Sequence, residues 1–127
     1  MRRQKRDPAK LEAEVEHRRR EDAAPRLCDA VARLESLRLR FEDVRAESSV
    51  SVPSYVRPVV VTNAPAHFEI RCMEPRCDGR HDLTYAVLHE LRQGKAQFAG
   101  QSSCDGMVGN APCNRVLGYS FEASYRS

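Results

Sequence analysis

The sequence predicts an α+β fold in which an N-terminal helical arm, patterned like a short coiled coil, is joined by a Pro-rich connector to a small head of antiparallel strands and one helix. Three observations predict it. Up to Ser48 the chain carries 13 Lys or Arg and 11 Asp or Glu, with Phe41 as the only aromatic residue, and its apolar positions recur at helical period. Pro53, Pro58 and Pro65 then interrupt any regular pattern. Beyond them, apolar and polar residues alternate, and four cysteines stand in two pairs. The resulting division is an arm over 1–48, a linker over 49–65 and a cysteine-bearing head over 66–127.

From Asp7 to about Ala23 the residues are rich in Ala, Leu, Glu and Arg. Asp7 is placed to cap this helix and Pro8 suits its first turn. Its apolar face is thin, with Leu11 and Val15 as the main members, so it is expected to be solvated unless a partner covers it. Pro25 ends it, because proline lacks a donor and disfavours helical geometry in Ala24.

A second helix is expected over about Pro25 to Glu47. Leu27, Val31, Leu34, Leu37, Phe41 and Val44 are spaced by four, three, three, four and three, a heptad-like stripe. That stripe either packs on the rest of the chain or forms an interface with a partner helix, including a homodimer through the arm. The following segment, with Val59, Val60 and Val61 between Pro58 and Pro65, reads as extended, with at most one short or edge strand.

In the head, Phe68, Ile70 and Cys72 alternate with His67, Glu69 and Arg71, the pattern of a strand. Asp82 is placed to cap a helix that runs to Leu91 or Gln93 and stops at Gly94, with Leu83, Val87 and Leu91 as its buried stripe. A strand follows over about Ala96 to Gln101. The clearest strand is the last, where Leu117, Tyr119, Phe121, Ala123 and Tyr125 alternate with polar or small residues.

Cys72 and Cys77 lie in CMEPRCDG, Cys104 and Cys113 in CDGMVGNAPC. Two thiol pairs on Gly- or Pro-containing turns, separated by a helix-sized insert, supply the four ligands of a tetrahedral structural zinc (Zn2+) site. CDG occurs twice, and each glycine follows its cysteine by two positions, where an open backbone lets the chain curl around a metal. Four residues intervene in the first pair and eight in the second, looser than the commonest knuckle. A disulfide arrangement is the competing reading, and His81 or His67 stands near enough in sequence to replace a cysteine. Cys28, alone on the arm, is expected to be a small buried residue.

On these four cysteines the stretch from His67 to Tyr125 resembles the broad four-cysteine zinc-ribbon and zinc-finger class, which implies a metal clamping two turns carried by short strands. The helix between the pairs and the eight-residue gap depart from a plain ribbon. A helical arm joined to such a finger also resembles, in architecture, the DksA/TraR type of RNA-polymerase-binding proteins, whose cysteine pairs are closer.

The start, MRRQKRDP, is basic without a following apolar stretch, and no run approaches the length of a membrane span. The expected compartment is therefore a reducing cytoplasm, where close thiols are metal ligands more often than disulfides. Four cysteines would close the zinc shell, and neither H-E-x-x-H nor the combined deaminase pattern is complete, so no enzymatic activity is expected. A protein-interaction module, regulatory in transcription or another nucleic-acid machine, is the leading expectation. Arg71, Arg76, Arg80 and Arg115 flank the ligands, as charge compensation or as a contact surface for a partner or phosphate, so nucleic-acid binding is the alternative. Oxidation of zinc-bound thiolates, ejecting the metal, makes a redox switch the third reading.

Overall fold

In the computed structural model the described residues are 8–43, 55–72, 74, 76–113 and 115–126. Helix α1 (Pro8–Ala23) has the expected extent, with Pro8 at its first position and Pro25 beyond its end. Leu11 and Val15 are exposed on it. No helix among the described residues is long and apolar enough to cross a membrane.

The expected second helix is corrected by the structure. It survives only as one turn, α2 (Leu27–Ala30), after which the chain becomes strand β1 (Leu34–Asp43). The stripe residues Leu27, Val31, Leu34, Leu37 and Phe41 are all buried, but in the core of this chain, with Leu27 on α2, Val31 just past its end and the other three on β1. Val44 lies outside the described residues. The physical reason is a β-bulge. Leu37, Arg38, Leu39, Arg40 and Phe41 alternate buried and exposed with period two, as a half-buried strand requires. Leu34 and Leu37 are three apart and would face opposite sides of a regular strand. Pairing jumps from Leu34↔Tyr125 to Ser36↔Ser124, so Glu35 is an extra residue that reverses the phase and turns both leucines inward. A bulged strand thus imitates the spacing of a helix.

Strand β2 (Tyr55–Val59) pairs antiparallel with β1 and occupies the edge of the sheet. Pro58, opposite Arg38, is tolerated there because an edge strand has one side with no ladder bond to lose. Beyond a turn at Val61–Asn63, Leu27 N–H donates to Ala64 O (2.8 Å) and Ala66 N–H to Pro25 O (2.8 Å), which locks the start of α2 against residues 64–66.

A hairpin follows, β3 (Glu69–Arg71) and β4 (Arg80–Asp82), and then α3 (Thr84–Arg92). Asp82 accepts from Thr84 N–H at 3.1 Å, and Gly94 closes the turn with φ 76°, a conformation that glycine alone adopts cheaply. Leu83, Val87 and Leu91 are buried as the spacing predicts. Strand β5 (Gln97–Ser103) pairs with β8 (Val116–Tyr125), and between them lies a small hairpin, β6 (Met107–Val108) and β7 (Ala111–Pro112).

The principal sheet has the order β2-β1-β8-β5 with every neighbour antiparallel. Its inner face presents Leu37, Leu39, Phe41, Leu117, Tyr119 and Phe121, which join the buried residues of α2 and α3 and Phe68 and Ile70 in one apolar cluster. Residues 34–43 and 116–125 therefore stand side by side in the middle of one sheet. The four paired cysteines form a separate buried cluster with Val108 packed against it.

Candidate metal centre

The two CDG turns build the centre from its backbone upward. Gly79 N–H donates to Cys77 Sγ and Gly106 N–H to Cys104 Sγ, both at 3.3 Å. The turns face each other closely. A Cβ on Gly79 would stand 2.6 Å from Cys104 Sγ, and one on Gly106 would stand 2.5 Å from Cys77 Sγ and 2.8 Å from Gly79 Cα. Glycine is required at both positions by this close approach. The outer cysteines are placed by matching main-chain bonds, Cys72 N–H to Gly79 O (3.0 Å) and Cys113 N–H to Gly106 O (2.9 Å).

The eight-residue gap in the second pair closes because its middle folds into the β6–β7 hairpin. Gly109, with φ 60°, opens the two-residue turn, the position at which such a hairpin favours glycine. Cys104 and Cys113 are thereby returned to each other's neighbourhood from either side of the hairpin. Neither His81 nor His67 takes a cysteine's place: His81 is buried with its Nδ1 3.0 Å from Ser102 Oγ, and the four-sulfur group is complete without a histidine. Cys28 is half-buried with its sulfur beside Thr62 O and lies outside the group.

All four Sγ atoms lie within 4.8 Å of one another. Cys72 and Cys113 are 3.7 Å apart and Cys77 and Cys104 3.6 Å, far beyond a disulfide bond. A regular tetrahedron with metal–sulfur bonds of about 2.3 Å has edges of about 3.8 Å, so these separations fit a four-sulfur metal site. The cysteines are 5 %, 0 %, 8 % and 6 % exposed in chain order, which leaves the sulfurs turned to one another and away from solvent.

Burial pushes the Cys72 thiol up to about 11 and that of Cys104 higher still. For Cys113 burial acts in the same direction but is outweighed by hydrogen bonds, from the Arg115 backbone foremost, and the thiol is lowered. The protein alone thus opposes a full set of thiolates, and a cation among them supplies what the burial takes away.

The four flanking arginines all have carboxylates nearby. Arg76 Nε and Arg115 Nη2 each donate to Glu74 at 3.1 Å, and with a further bond from Arg76 N–H they hold that carboxyl at about 2. Glu74 thereby ties the segment carrying Cys77 to the segment carrying Cys113. Arg80 is 4.0 Å from Glu69, and Arg71 is 4.0 Å from Glu14 on α1. Arg71 and Arg76 remain exposed, whereas Arg80 and Arg115 are largely covered.

Sequence reasoning missed a second convergence. His17, from α1, meets His67 and Glu69 of the head, and ligand-capable atoms of the three residues lie within 4.8 Å of one another. Their separation in sequence hides the group; only the short His67–Phe68–Glu69 segment has local spacing to notice. Comparison of the chain with protein-family models, with curated proteins and with solved structures finds no match, so the four-sulfur centre is identified by its own geometry as a candidate metal site.

Proposed function

We propose that this chain is a non-enzymatic zinc protein whose four-cysteine centre is structural, and that the head it braces serves as an interaction module for a protein partner, regulatory in transcription or another nucleic-acid machine. The observation that carries the reading is the closed set of four buried sulfurs at tetrahedral separations, with two glycine N–H groups aimed at them. Zinc fits this donor set because four thiolates suit its softness and, as a d10 ion, it has no electronic preference against a tetrahedral shell. A full sulfur shell reserves no position for water or substrate, which favours a structural role over a catalytic one.

Arg71, Arg76, Arg80 and Arg115 each already have an acidic neighbour within 4.0 Å, which weakens the reading of this cluster as a phosphate-binding surface. The nucleic-acid reading draws instead on the terminal and helical arginines, and the redox reading on oxidation of the thiolates. Binding to DNA or RNA that weakens steeply with salt would move the assignment from adaptor to nucleic-acid binder.

The direct test is metal content and intact mass of the purified protein, with Cys72, Cys77, Cys104 and Cys113 changed singly to Ser. The expected result is zinc bound to reduced thiols, with the sulfur-bound ion lost or weakened by orders of magnitude in each variant. A wild-type mass lower by two or four hydrogens, with no zinc, would replace the metal reading by disulfides.

A further inference from the structure

We propose a second metal site, for a divalent transition ion of the zinc class, formed by His17 of α1 with His67 and Glu69 of the head. It is independent of the four-sulfur centre and shares no ligand with it. Glu69 Oε2 lies 3.1 Å from His17 Nδ1 and 2.8 Å from His67 Nε2. In a tetrahedral site with bonds of about 2.0–2.1 Å, neighbouring ligand atoms stand about 3.3 Å apart, so small side-chain shifts suffice to admit the ion. Two imidazoles and one carboxylate are a donor set that holds zinc with one coordination position left over.

The remote atoms of all three ligands are already supported. His17 Nε2 faces Glu21 Oε2 at 3.3 Å, His67 Nδ1 faces Thr84 Oγ1 at 3.4 Å, and Glu69 Oε1 accepts from Arg20 Nη2 at 2.6 Å. Carboxylate and hydroxyl partners of this kind orient metal-bound histidines and fix their tautomers. Arg20 Nε also reaches Oε2 at 3.1 Å, and the ion displaces that one bond while Oε1 keeps the guanidinium.

The surroundings of His17 are compatible with an ion. Both of its ring nitrogens face carboxylate oxygens, Glu69 on one side and Glu21 on the other. A neutral imidazole has one N–H, so one lone pair would be set against a carboxylate oxygen. A cation bound at Nδ1 removes the conflict and leaves Nε2–H to donate to Glu21. A second proton on the ring would also remove it, and that is the alternative the experiment must separate.

The experiment is a titration of the full chain with zinc and with cobalt at neutral pH, read by bound metal per chain and by the cobalt spectrum. Thiolate-to-cobalt charge transfer reports the four-sulfur centre alone, so filling of the second site appears as bound metal beyond saturation of that band. Two ions per chain are expected, with one retained and the charge-transfer band unchanged in His17→Gln and His67→Gln. Glu69→Gln is expected to behave alike, with helical content checked by circular dichroism. Saturation of the wild type at one ion, or at the charge-transfer band, overturns the proposal and leaves the group as a hydrogen-bonded clamp between α1 and the head. Two ions persisting in His67→Gln overturn it equally.

Discussion

At the scale of single residues, the centre depends on two atoms that are not there. Gly79 and Gly106 lack a Cβ, and the space it would fill belongs to the opposite sulfur and to the opposite glycine. Gly79→Ala and Gly106→Ala are therefore expected to destabilise the protein by about 1–3 kcal/mol, the usual cost of overpacking a closely fitted site. Metal affinity should fall with it, and competition against a chromophoric chelator, together with thermal melting, measures both. Gly94→Ala provides the contrast: its Cβ would meet nothing within 4 Å, so only the cost of its positive φ remains and metal affinity should not change. The four cysteines and the paired CDG turns were legible in the sequence because sulfur ligands and glycine turns are local signals. The meeting of His17 with Glu69 was not, since 52 positions separate them and α1 carries no spacing that announces it.

At the scale of elements, α1 and β1 show two ways in which a segment can be held. Helix α1 exposes Leu11 and Val15 and is tied to the head by polar contacts, His17 and Arg20 on Glu69 and Glu14 near Arg71. Strand β1 is held by its apolar face and by ladders on both sides. The alternation from Leu37 to Phe41 was available to sequence reading, as were α3, β5 and β8, which formed close to their expected bounds. Only the bulge made Leu34 and Leu37 look helical. Deleting Glu35 removes the extra residue and leaves Leu34 and Leu37 two apart, so a regular strand keeps both leucines inward with their pairings to Tyr125 and Ala123 intact. The expected change in stability is within about 1 kcal/mol, and denaturant unfolding reads it. A loss of about 2–4 kcal/mol, comparable to removing a buried leucine side chain, would mean that the bulge itself is needed to seat Leu34.

At the scale of the whole molecule, two buried clusters divide the labour. The sheet, α2 and α3 share an apolar core, whereas the cysteines and Val108 form a core of their own at the ends of short hairpins. Metal removal should act on the second more than on the first. Chelation with a zinc-selective reagent is expected to abolish amide-exchange protection around Cys72–Gly79 and Cys104–Cys113 by at least about tenfold while the ladder between β1 and β8 stays protected, because local openings follow local contacts. Loss of protection throughout the sheet would instead make the metal a condition for the entire fold.

The central ladder also sets an order of events in time. Ser36 and Ser124 face each other across β1 and β8, yet 88 positions separate them along the chain. At synthesis rates of about 5–20 residues per second, β1 waits on the order of ten seconds for the strand that pairs with it. During that interval Leu37, Leu39 and Phe41 have no finished sheet to enter, so a nascent chain halted before Val116 carries a sticky, half-made edge. Completion of the sheet thus waits for β8, and the apolar face of β1 stays uncovered on the growing chain until that strand has been made.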